Sequence, residues 1–254
     1  MQLHFHPDFS SYAADLKRFI EQFDNSGQLF GDGKRNKIKL FDLDGKTVNI
    51  KSFKIPNLIN QVAYKFFRKS KARRSFEFAN ILRSHGIGTP QPIAYAEDFS
   101  TTGLRKSFYL SEHLSCDLTY RELVEIPDYP DHDNILRQFV HFCFKLHESG
   151  IEFLDHSPGN TLIRKESDGR YSFFLVDLNR MQFHPAMTFD QRMKNLSRLT
   201  PKKEMVAVMA NEYAKLYPVQ TEQAIFEKMW AFTDAFQIKF HKKIKLKKAL
   251  KFWK

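Results

Sequence analysis

Over its first 112 residues the chain alternates apolar and polar positions in short runs, the pattern of half-buried strands. Two of these runs flank the dipeptide Asp44-Gly45, which is a strong signal for a β-hairpin because both residues tolerate a positive φ. Further along, Pro90 and Pro92 introduce another extended stretch. The predicted strands are residues 28–30, 37–43, 46–53, 93–97 and 106–112.

Two helices are predicted in the same region. Residues 12–23 follow the capping pair Ser10-Ser11, and residues 70–85 end at Gly86, a residue type suited to helix C-termini. The pattern of residues 1–112 therefore indicates a small sheet with an internal helix.

Beyond Ser115 the apolar spacing becomes mainly helical. A long helix is predicted over residues 132–149, and helices again from about Thr188 onward. Between them, two short strands, 161–164 and 171–177, flank a turn. A β-rich part followed by a helical part predicts an α+β chain with two lobes, an N-lobe of residues 1–112 and a C-lobe of residues 113–254.

One stretch of the helical part carries the chemistry. Asp155 is followed by Asn160 five residues later, and Asp177 closes the apolar strand that follows the hairpin. Phosphoryl transfer requires a carboxylate beside the attacking hydroxyl and oxygen ligands that hold Mg²⁺ against the β- and γ-phosphates. This spacing predicts that Asp155 orients the hydroxyl and accepts its proton, and that Asn160 and Asp177 hold the metal. Taken singly, each residue is equally typical of a turn cap or a strand end.

A matching set of residues lies upstream. Lys51 sits on a predicted strand, where its ammonium could reach the α- and β-phosphates, and Glu77 lies on the helix that follows and could pair with it. The loop that begins Gly31-Asp-Gly33 is a partial GxGxxG, with Asn36 in place of the last glycine. Its backbone N–H groups could cover phosphates.

The chain order and spacing of five of these residues resemble those of kinase-like folds; the five are Lys51, Glu77, Asp155, Asn160 and Asp177. Four further stretches resemble the lipopolysaccharide core kinases in particular. The stretches are residues 70–82, 86–93, 146–151 and 192–199. The resemblance covers roughly residues 28–200. It implies a two-lobed protein-kinase-like fold and an enzyme that uses ATP and Mg²⁺ to phosphorylate Kdo or heptose of the lipopolysaccharide inner core. It also implies that Glu112 and Leu114 form the hinge whose backbone groups bind adenine.

The sequence departs from the kinase pattern at two motifs. Phe153-Leu154-Asp155 lacks the customary histidine, and Asp177-Leu178-Asn179 replaces Asp-Phe-Gly. Neither change removes a phosphate- or metal-binding group. They nevertheless leave open a non-catalytic kinase-like module that binds nucleotide or an anionic membrane, and a different small-molecule kinase is a further alternative. His147, at the end of a predicted helix, is expected to be a packed structural residue rather than a catalyst.

Charge adds a possible partner to this picture. The net charge is +11, from 40 Lys and Arg against 29 Asp and Glu, which favours anionic partners. Two basic segments contain no acid, residues 65–74 and residues 238–254. Besides a lipid A–Kdo acceptor, they predict contact with an anionic inner-membrane surface; a final helix simply packed on the large lobe is the alternative. No nucleic-acid motif accompanies them, so no nucleic-acid partner is expected.

The remaining composition excludes other classes. Hydrophobic residues make up 42% of the chain, so general disorder is not expected. Cys116 and Cys143 lack metal-type spacing and are expected to be free thiols. The sequence begins without a signal-peptide pattern and has no apolar run long enough to span a bilayer, so a cytoplasmic protein, peripheral on the membrane at most, is expected.

Overall fold

The protein divides into two compact units. The structure, a computed structural model, describes residues 1–31, 36–55, 57–101 and 103–252. The first unit contains Met1–Ser115 together with Asp177–Asn179, and the second contains Cys116–Val176 and Arg180–Lys254. The change of unit at Ser115 falls three residues after the predicted lobe boundary, and Asp177–Asn179 group with the first unit although their chain neighbours belong to the second.

A six-stranded sheet forms the centre of the first unit. Its order is β1-β5-β6-β4-β3-β2, and every neighbouring pair is antiparallel. The strands are β1 (Gln2–Phe5), β2 (Gln28–Phe30), β3 (Lys37–Leu43), β4 (Lys46–Ser52), β5 (Pro92–Phe99) and β6 (Leu104–Glu112). Five of them correspond to predicted strands, whereas β1 was not predicted from the sequence.

The Asp44-Gly45 hairpin is confirmed. Asp44 has φ 51° and Gly45 has φ 78°, and the turn joins β3 to β4. Two successive positive φ angles match the twist of antiparallel strands, which is why this dipeptide is favoured between them.

Helices cover both faces of this sheet. The helix α1 (Ala13–Glu21) packs its apolar side on the face that contains Val48 and Ile50, both fully buried. The helix α3 (Lys71–Ser84) packs on the opposite face against Phe53. Because side chains alternate along a strand, Lys51 lies on the α3 face of β4. A further helix, α2 (Leu58–Phe66), was not predicted from the sequence.

The second unit is mainly helical, as predicted. Its helices are α4 (Tyr120–Glu125), α5 (His132–Glu148), α6 (Phe189–Leu196), α7 (Lys203–Leu216) and α8 (Glu222–Phe252). Its strands are β7 (Leu118–Thr119), β8 (Ile151–Phe153), β9 (Thr161–Lys165), β10 (Tyr171–Leu175) and β11 (Met181–Phe183). They form the antiparallel sheets β10-β9-β7 and β11-β8. One apolar core, centred on Phe139, Tyr213 and Met229, packs α5, α7 and α8 together.

A glycine fixes the start of β8. Gly150 follows α5 with φ 68°, and a Cβ at this position would collide with the carbonyl oxygen of His184. Only glycine permits this backbone conformation and this approach. The pairing of β8 with β11 thus begins directly at the end of α5, close to the segment that carries Asp155.

The last helix changes character along its length. Thr233 of α8 is still buried, but from Ile238 to Ala249 every side chain is exposed apart from the half-buried Ile244. Within the described part of the chain, no helix is long and apolar enough to cross a membrane. Because the side chains of residues 238–249 are exposed, the alternative of a final helix packed on the large lobe does not fit the described part of segment 238–254.

Candidate active site

In the first unit the structure brings two predicted site residues together. The Lys51 ammonium lies 2.9 Å from Oδ1 of Asp177, and the Lys51 side chain is only 15% exposed. Asp177 has φ 59°, a left-handed conformation that aspartate tolerates better than most residues. The Asn179 amide donates a hydrogen bond of 2.7 Å to the same Oδ1. A half-buried carboxylate thus carries two donors at one oxygen.

The predicted Lys51–Glu77 ion pair is wrong for this structure. The Glu77 carboxylate pairs with Lys69 at 2.7 Å and with Arg73 at 2.9 Å. Arg73 lies one helical turn before Glu77 on α3, the spacing at which side chains meet. Lys69 precedes the helix, and together the two cations lower the pKa of Glu77 against the opposing effect of burial. In this structure Lys51 therefore pairs with Asp177 and not with Glu77.

The predicted adenine hinge lies at the end of β6. The Glu112 N–H donates to the Gln91 carbonyl at 2.9 Å, and the Glu112 carboxylate lies 3.5 Å from the Lys46 ammonium. The Glu112 N–H is therefore already used within the unit. Leu114 follows the strand and is half-buried.

Of the predicted phosphate-covering loop, Gly31 is described and has φ 80°, with open space where a Cβ would project. Gly33 lies outside the described residues.

In the second unit, backbone hydrogen bonds fix the segment from Asp155 to Asn160. The Asp155 carbonyl accepts from the Ser157 N–H at 2.8 Å and from Nδ2 of Asn160 at 2.8 Å. Because Nδ2 of Asn160 is directed at this carbonyl, its Oδ1 remains the free end of the amide. Both groups predicted for catalysis and metal binding in this unit therefore lie on one short, internally bonded turn.

The Asp155 side chain is held by an arginine that sequence reasoning missed. Arg198 Nη2 lies 2.9 Å from Oδ1 of Asp155, and Nη1 donates to the Leu154 carbonyl at 2.8 Å. One guanidinium therefore fixes both the carboxylate and the backbone just before it. An arginine suits this role because its donors are arranged in a rigid planar fork.

The stretch 192–199, which carries part of the family resemblance, also holds this turn in place through its side chains. Asn195 donates to the Phe153 carbonyl at 2.9 Å and contacts His147 at 3.2 Å. Arg192 is buried and pairs with Glu148 at 2.6 Å. The spacing of three residues between Arg192, Asn195 and Arg198 puts polar groups on one side of α6 and its end. That spacing was the signal in the sequence from which the roles of Asn195 and Arg198 could have been found.

Two buried histidines complete the support. His147 is fully buried, as expected of a structural residue, and its Nδ1 lies 2.9 Å from the Tyr213 hydroxyl. Burial lowers the pKa of His147 to about 3 and that of His156 to about 4. His156 directly follows Asp155 and packs against Phe139 and Phe153. Both imidazoles are therefore neutral near pH 7, so the Arg198 guanidinium is the cation paired with Asp155.

Comparison with known proteins decides the class of enzyme. The model of the lipopolysaccharide kinase (Kdo/WaaP) family matches residues 29–226, more than half of the chain. The chain belongs to this family. It is accordingly a lipopolysaccharide core-sugar kinase, a phosphotransferase, and membership of a kinase family implies the use of ATP.

The fold of this Kdo/WaaP kinase is also similar to a solved structure of WaaP in complex with acyl carrier protein. The two share 16% sequence identity with a TM-score of 0.64, over 95% of this chain and 99% of that one. At this identity the likeness supports the kinase-like fold alone. No curated protein sequence gives a significant match. The family match ends at residue 226, so the exposed part of α8 lies beyond it.

Proposed function

We propose that the protein transfers the γ-phosphate of ATP, with Mg²⁺, to a hydroxyl of Kdo or heptose in the lipopolysaccharide inner core. The observation that carries this proposal is the 2.9 Å ion pair between Lys51 and Asp177 in a chain of the Kdo/WaaP family. Kinases need a lysine on the nucleotide phosphates and an aspartate on the metal, and these are the roles that the kinase template gives to Lys51 and Asp177.

On the nucleotide side, Lys51 binds the α- and β-phosphates. The Glu112 carbonyl and the Leu114 backbone bind adenine, because the Glu112 N–H is already used by Gln91. Gly31 supports a close backbone approach to phosphate because it has no Cβ and a positive φ. Gly33 is assigned to the same loop from the sequence.

For the metal, the proposed ligands are the Asp177 carboxylate and the Asn160 Oδ1. Both are hard oxygen donors, the type that Mg²⁺ prefers, and Mg²⁺ commonly takes one or two protein oxygens with phosphate and water oxygens. Among the described residues, no group of three or more His, Cys, Asp or Glu side chains is placed to hold a metal ion. When bound, the ion neutralises charge on the β- and γ-phosphates.

At the acceptor, the attacking hydroxyl oxygen forms a bond to the γ-phosphorus. The bond between that phosphorus and the β–γ bridging oxygen breaks, ADP leaves, and the hydroxyl proton passes to Asp155. Arg198 keeps the Asp155 carboxylate in one orientation through its bond of 2.9 Å. Such a fixed base is needed because proton transfer requires hydrogen-bond distance to the reacting hydroxyl.

Transfer to purified acceptors tests this function. The full chain, ATP and Mg²⁺ are incubated separately with a Kdo-terminated and a heptose-terminated lipid A acceptor, and the products are weighed by mass spectrometry. We expect a gain of about 80 Da, one phosphate, on one of the two acceptors. The Asp155→Asn variant is the control and should give no gain at equal nucleotide affinity. A wild-type protein that binds ATP but phosphorylates neither acceptor would contradict the proposal.

We further propose that the exposed end of α8 binds an anionic membrane surface. Its lysines have no carboxylate partner among the residues described, in contrast to segment 65–74, where Lys69 and Arg73 pair with Glu77. The lysines concerned are Lys239, Lys242, Lys243, Lys245, Lys247 and Lys248. Ile238, Phe240 and Leu246 are each about half exposed or more, at 48%, 47% and 64%. Lysines near an anionic leaflet contribute about 1 kcal/mol each.

Vesicle co-sedimentation tests this surface. The full chain should pellet with vesicles containing anionic phospholipid and not with neutral ones, and adding salt should release it because the attraction is screened. Replacing Lys245, Lys247 and Lys248 with Gln should weaken pelleting, whereas the same change at Lys65, Arg68 and Lys71 should weaken it less. Binding to acyl carrier protein, the partner in the WaaP structure, without any binding to vesicles would contradict the membrane proposal.

A further inference from the structure

A cavity lies in the second unit beside the Asp155 turn. Its volume is about 430 Å³, within the range of small-molecule sites. Residues of β8, α6 and α8 line it, together with the segments that follow β8 and α6. They are Glu152, Phe153, Leu154, Lys194, Asn195, Ser197, Arg198, Phe232, Ala235, Phe236 and Lys239.

The charged groups of this cavity are mainly positive. Its lining contains three cations, Lys194, Arg198 and Lys239. It also contains one carboxylate, Glu152, which accepts from His184 at 2.9 Å. Within the described ranges neither Lys194 nor Lys239 has an acidic partner within 4.0 Å. The Nε of Arg198 is buried and has no hydrogen-bond partner there. Its Nη1 and Nη2 already bond to the Leu154 carbonyl and the Asp155 carboxylate, so Arg198 contributes positive charge to the lining.

Apart from Asn195 and Ser197, the rest of the lining is apolar and includes aromatic rings. Phe232 and Phe236 belong to α8, and Phe153 to β8. The Arg198 guanidinium carbon lies 5.3 Å from the centre of the Phe236 ring. Aromatic rings beside cations fit a ligand that combines an anionic group with the weakly apolar face of a sugar ring.

The cavity is also next to the proposed base. Phe153 and Leu154 line it and directly precede Asp155, and Arg198 lines it while bonding to the Asp155 carboxylate. The cavity and the proposed base therefore share the segment Phe153–Asp155 and the side chain of Arg198.

We propose that this cavity is an acceptor subsite that binds an anionic group, a carboxylate or a phosphate, of the lipopolysaccharide precursor. Lys194 and Lys239 supply the charge, and Arg198 joins the bound anion to the Asp155 turn. The proposal rests on the proposed function, since it assigns the acceptor side of the same reaction. It explains why three cations line a cavity beside a base whose substrate is an acidic glycolipid.

The test separates this subsite from the rest of the site. Binding to the full chain is measured by calorimetry for two probes, the methyl glycoside of Kdo, which carries a carboxylate, and a glucosamine disaccharide bisphosphate. Lys194→Gln/Lys239→Gln should weaken binding of at least one probe by about tenfold, and raise the acceptor KM by a similar factor, because two charges are lost. The ATP affinity should be unchanged. Which probe responds identifies the anion as carboxylate or phosphate.

A matched control lies in the same unit. Lys165→Gln/Lys203→Gln removes the same charge from exposed positions outside both the cavity lining and the exposed end of α8, and should leave probe affinity within about twofold, because exposed charges are screened. Equal losses in both double variants, or no binding of either probe to the wild-type chain, would overturn the subsite. If the probes bind as expected but no phosphate is transferred, the proposed function fails while the subsite stands.

Discussion

The two units hold their candidate catalytic groups by different means. In the first unit, Asp177 is held by charge, because its oxygen meets the Lys51 ammonium and the Asn179 amide. In the second, the Asp155 turn is held mainly by its own backbone and by Asn195, with a single cation, Arg198, on the carboxylate. A pair of charges can exchange partners when a triphosphate arrives, whereas a backbone-bonded turn keeps one geometry throughout. The difference fits a nucleotide side that must respond to ligand and an acceptor side that must be preorganised.

The largest loss of activity is expected for a change at Asp155, in the preorganised turn of the second unit. Asp155→Asn keeps the shape of the side chain but cannot accept the hydroxyl proton, so kcat should fall by about a thousandfold, within the range of general-base contributions. ATP affinity, measured by calorimetry, should change little. A variant with more than a tenth of wild-type kcat would show that Asp155 is not the base.

Replacing Lys51, the cation paired with Asp177, should cause the next largest loss of kcat. Lys51→Met leaves Asp177 and the nucleotide phosphates without the ammonium, and kcat should fall by about a hundredfold, as when one preorganised donor is lost. Lys37→Met, at an exposed position on the neighbouring strand β3, is the matched control and should keep nearly full activity. Similar losses in both variants would indicate a general effect of charge instead of a site at Lys51.

Acid should act on the second unit through its buried histidines. The pKa values of His147 and His156 are about 3 and about 4 in the folded protein, below the ordinary value near 6.5. Their contribution to the free energy of unfolding is therefore complete above pH 6.5 and is lost as the pH falls through about 4 for His156 and about 3 for His147, which amounts to roughly 3 kcal/mol per histidine at pH 4. Fluorescence of Trp230, which packs on the core of this unit, follows the transition in urea.

A variant checks the origin of this acid effect. His147→Gln can hydrogen-bond but does not titrate in this range, so the slope of stability against pH should become shallower between pH 6.5 and 4. The slopes of the wild type and the variant should differ most near pH 4.5, between the unfolded and folded pKa values of His147. Identical slopes would mean that other groups cause the acid transition.

Arg198 should have a moderate effect, because it acts through Asp155. Arg198→Gln should lower kcat by about thirtyfold with the KM for ATP unchanged, since a misoriented base costs rate and not nucleotide binding. Arg198→Lys, which keeps the charge, should recover part of this loss. If the lysine variant shows no recovery and both variants also lose ATP affinity, Arg198 is only a structural residue.

The smallest effect is expected at Glu77. Its carboxylate pairs with Lys69 and Arg73 instead of Lys51, so Glu77→Gln should change kcat by no more than about twofold and stability by about 1 kcal/mol or less, as for partly exposed ion pairs. The Arg73→Gln variant should behave alike. A fifty-fold loss of kcat in Glu77→Gln alone would restore the pairing with Lys51 that the sequence predicted.

The sequence predicted those features that depend on local pattern. The Asp44-Gly45 turn follows from the turn chemistry of that dipeptide, and the long helix α5 follows from apolar periodicity. It failed where residues distant in the chain compete for one partner. Which carboxylate pairs with Lys51 depends on the positions of Asp177 and Arg73 after folding, and periodicity carries no information about that.

The cavity and its support were missed for the same reason. Arg198 reaches Asp155 from 43 positions away along the chain, and its role depends on the packing of α6 against β8. Lys239 was assigned to a basic segment from composition, but the structure makes it also part of a cavity wall. Composition identifies how many cations a segment has, whereas only the fold determines which of them share a cavity.

The unbroken course of α8 sets the distance between the cavity and the far end of the helix. Its inner part lines the cavity as far as Lys239, and the same helix continues to Phe252. At 1.5 Å per residue the outer part measures about 20 Å. Attachment of that end to a bilayer would therefore keep the cavity within about 20 Å of the point of attachment, measured along the helix. The helix would then fix the distance between the membrane and the cavity. Phosphorylation of sugars close to the lipid anchor would be favoured over phosphorylation of sugars farther out along the saccharide.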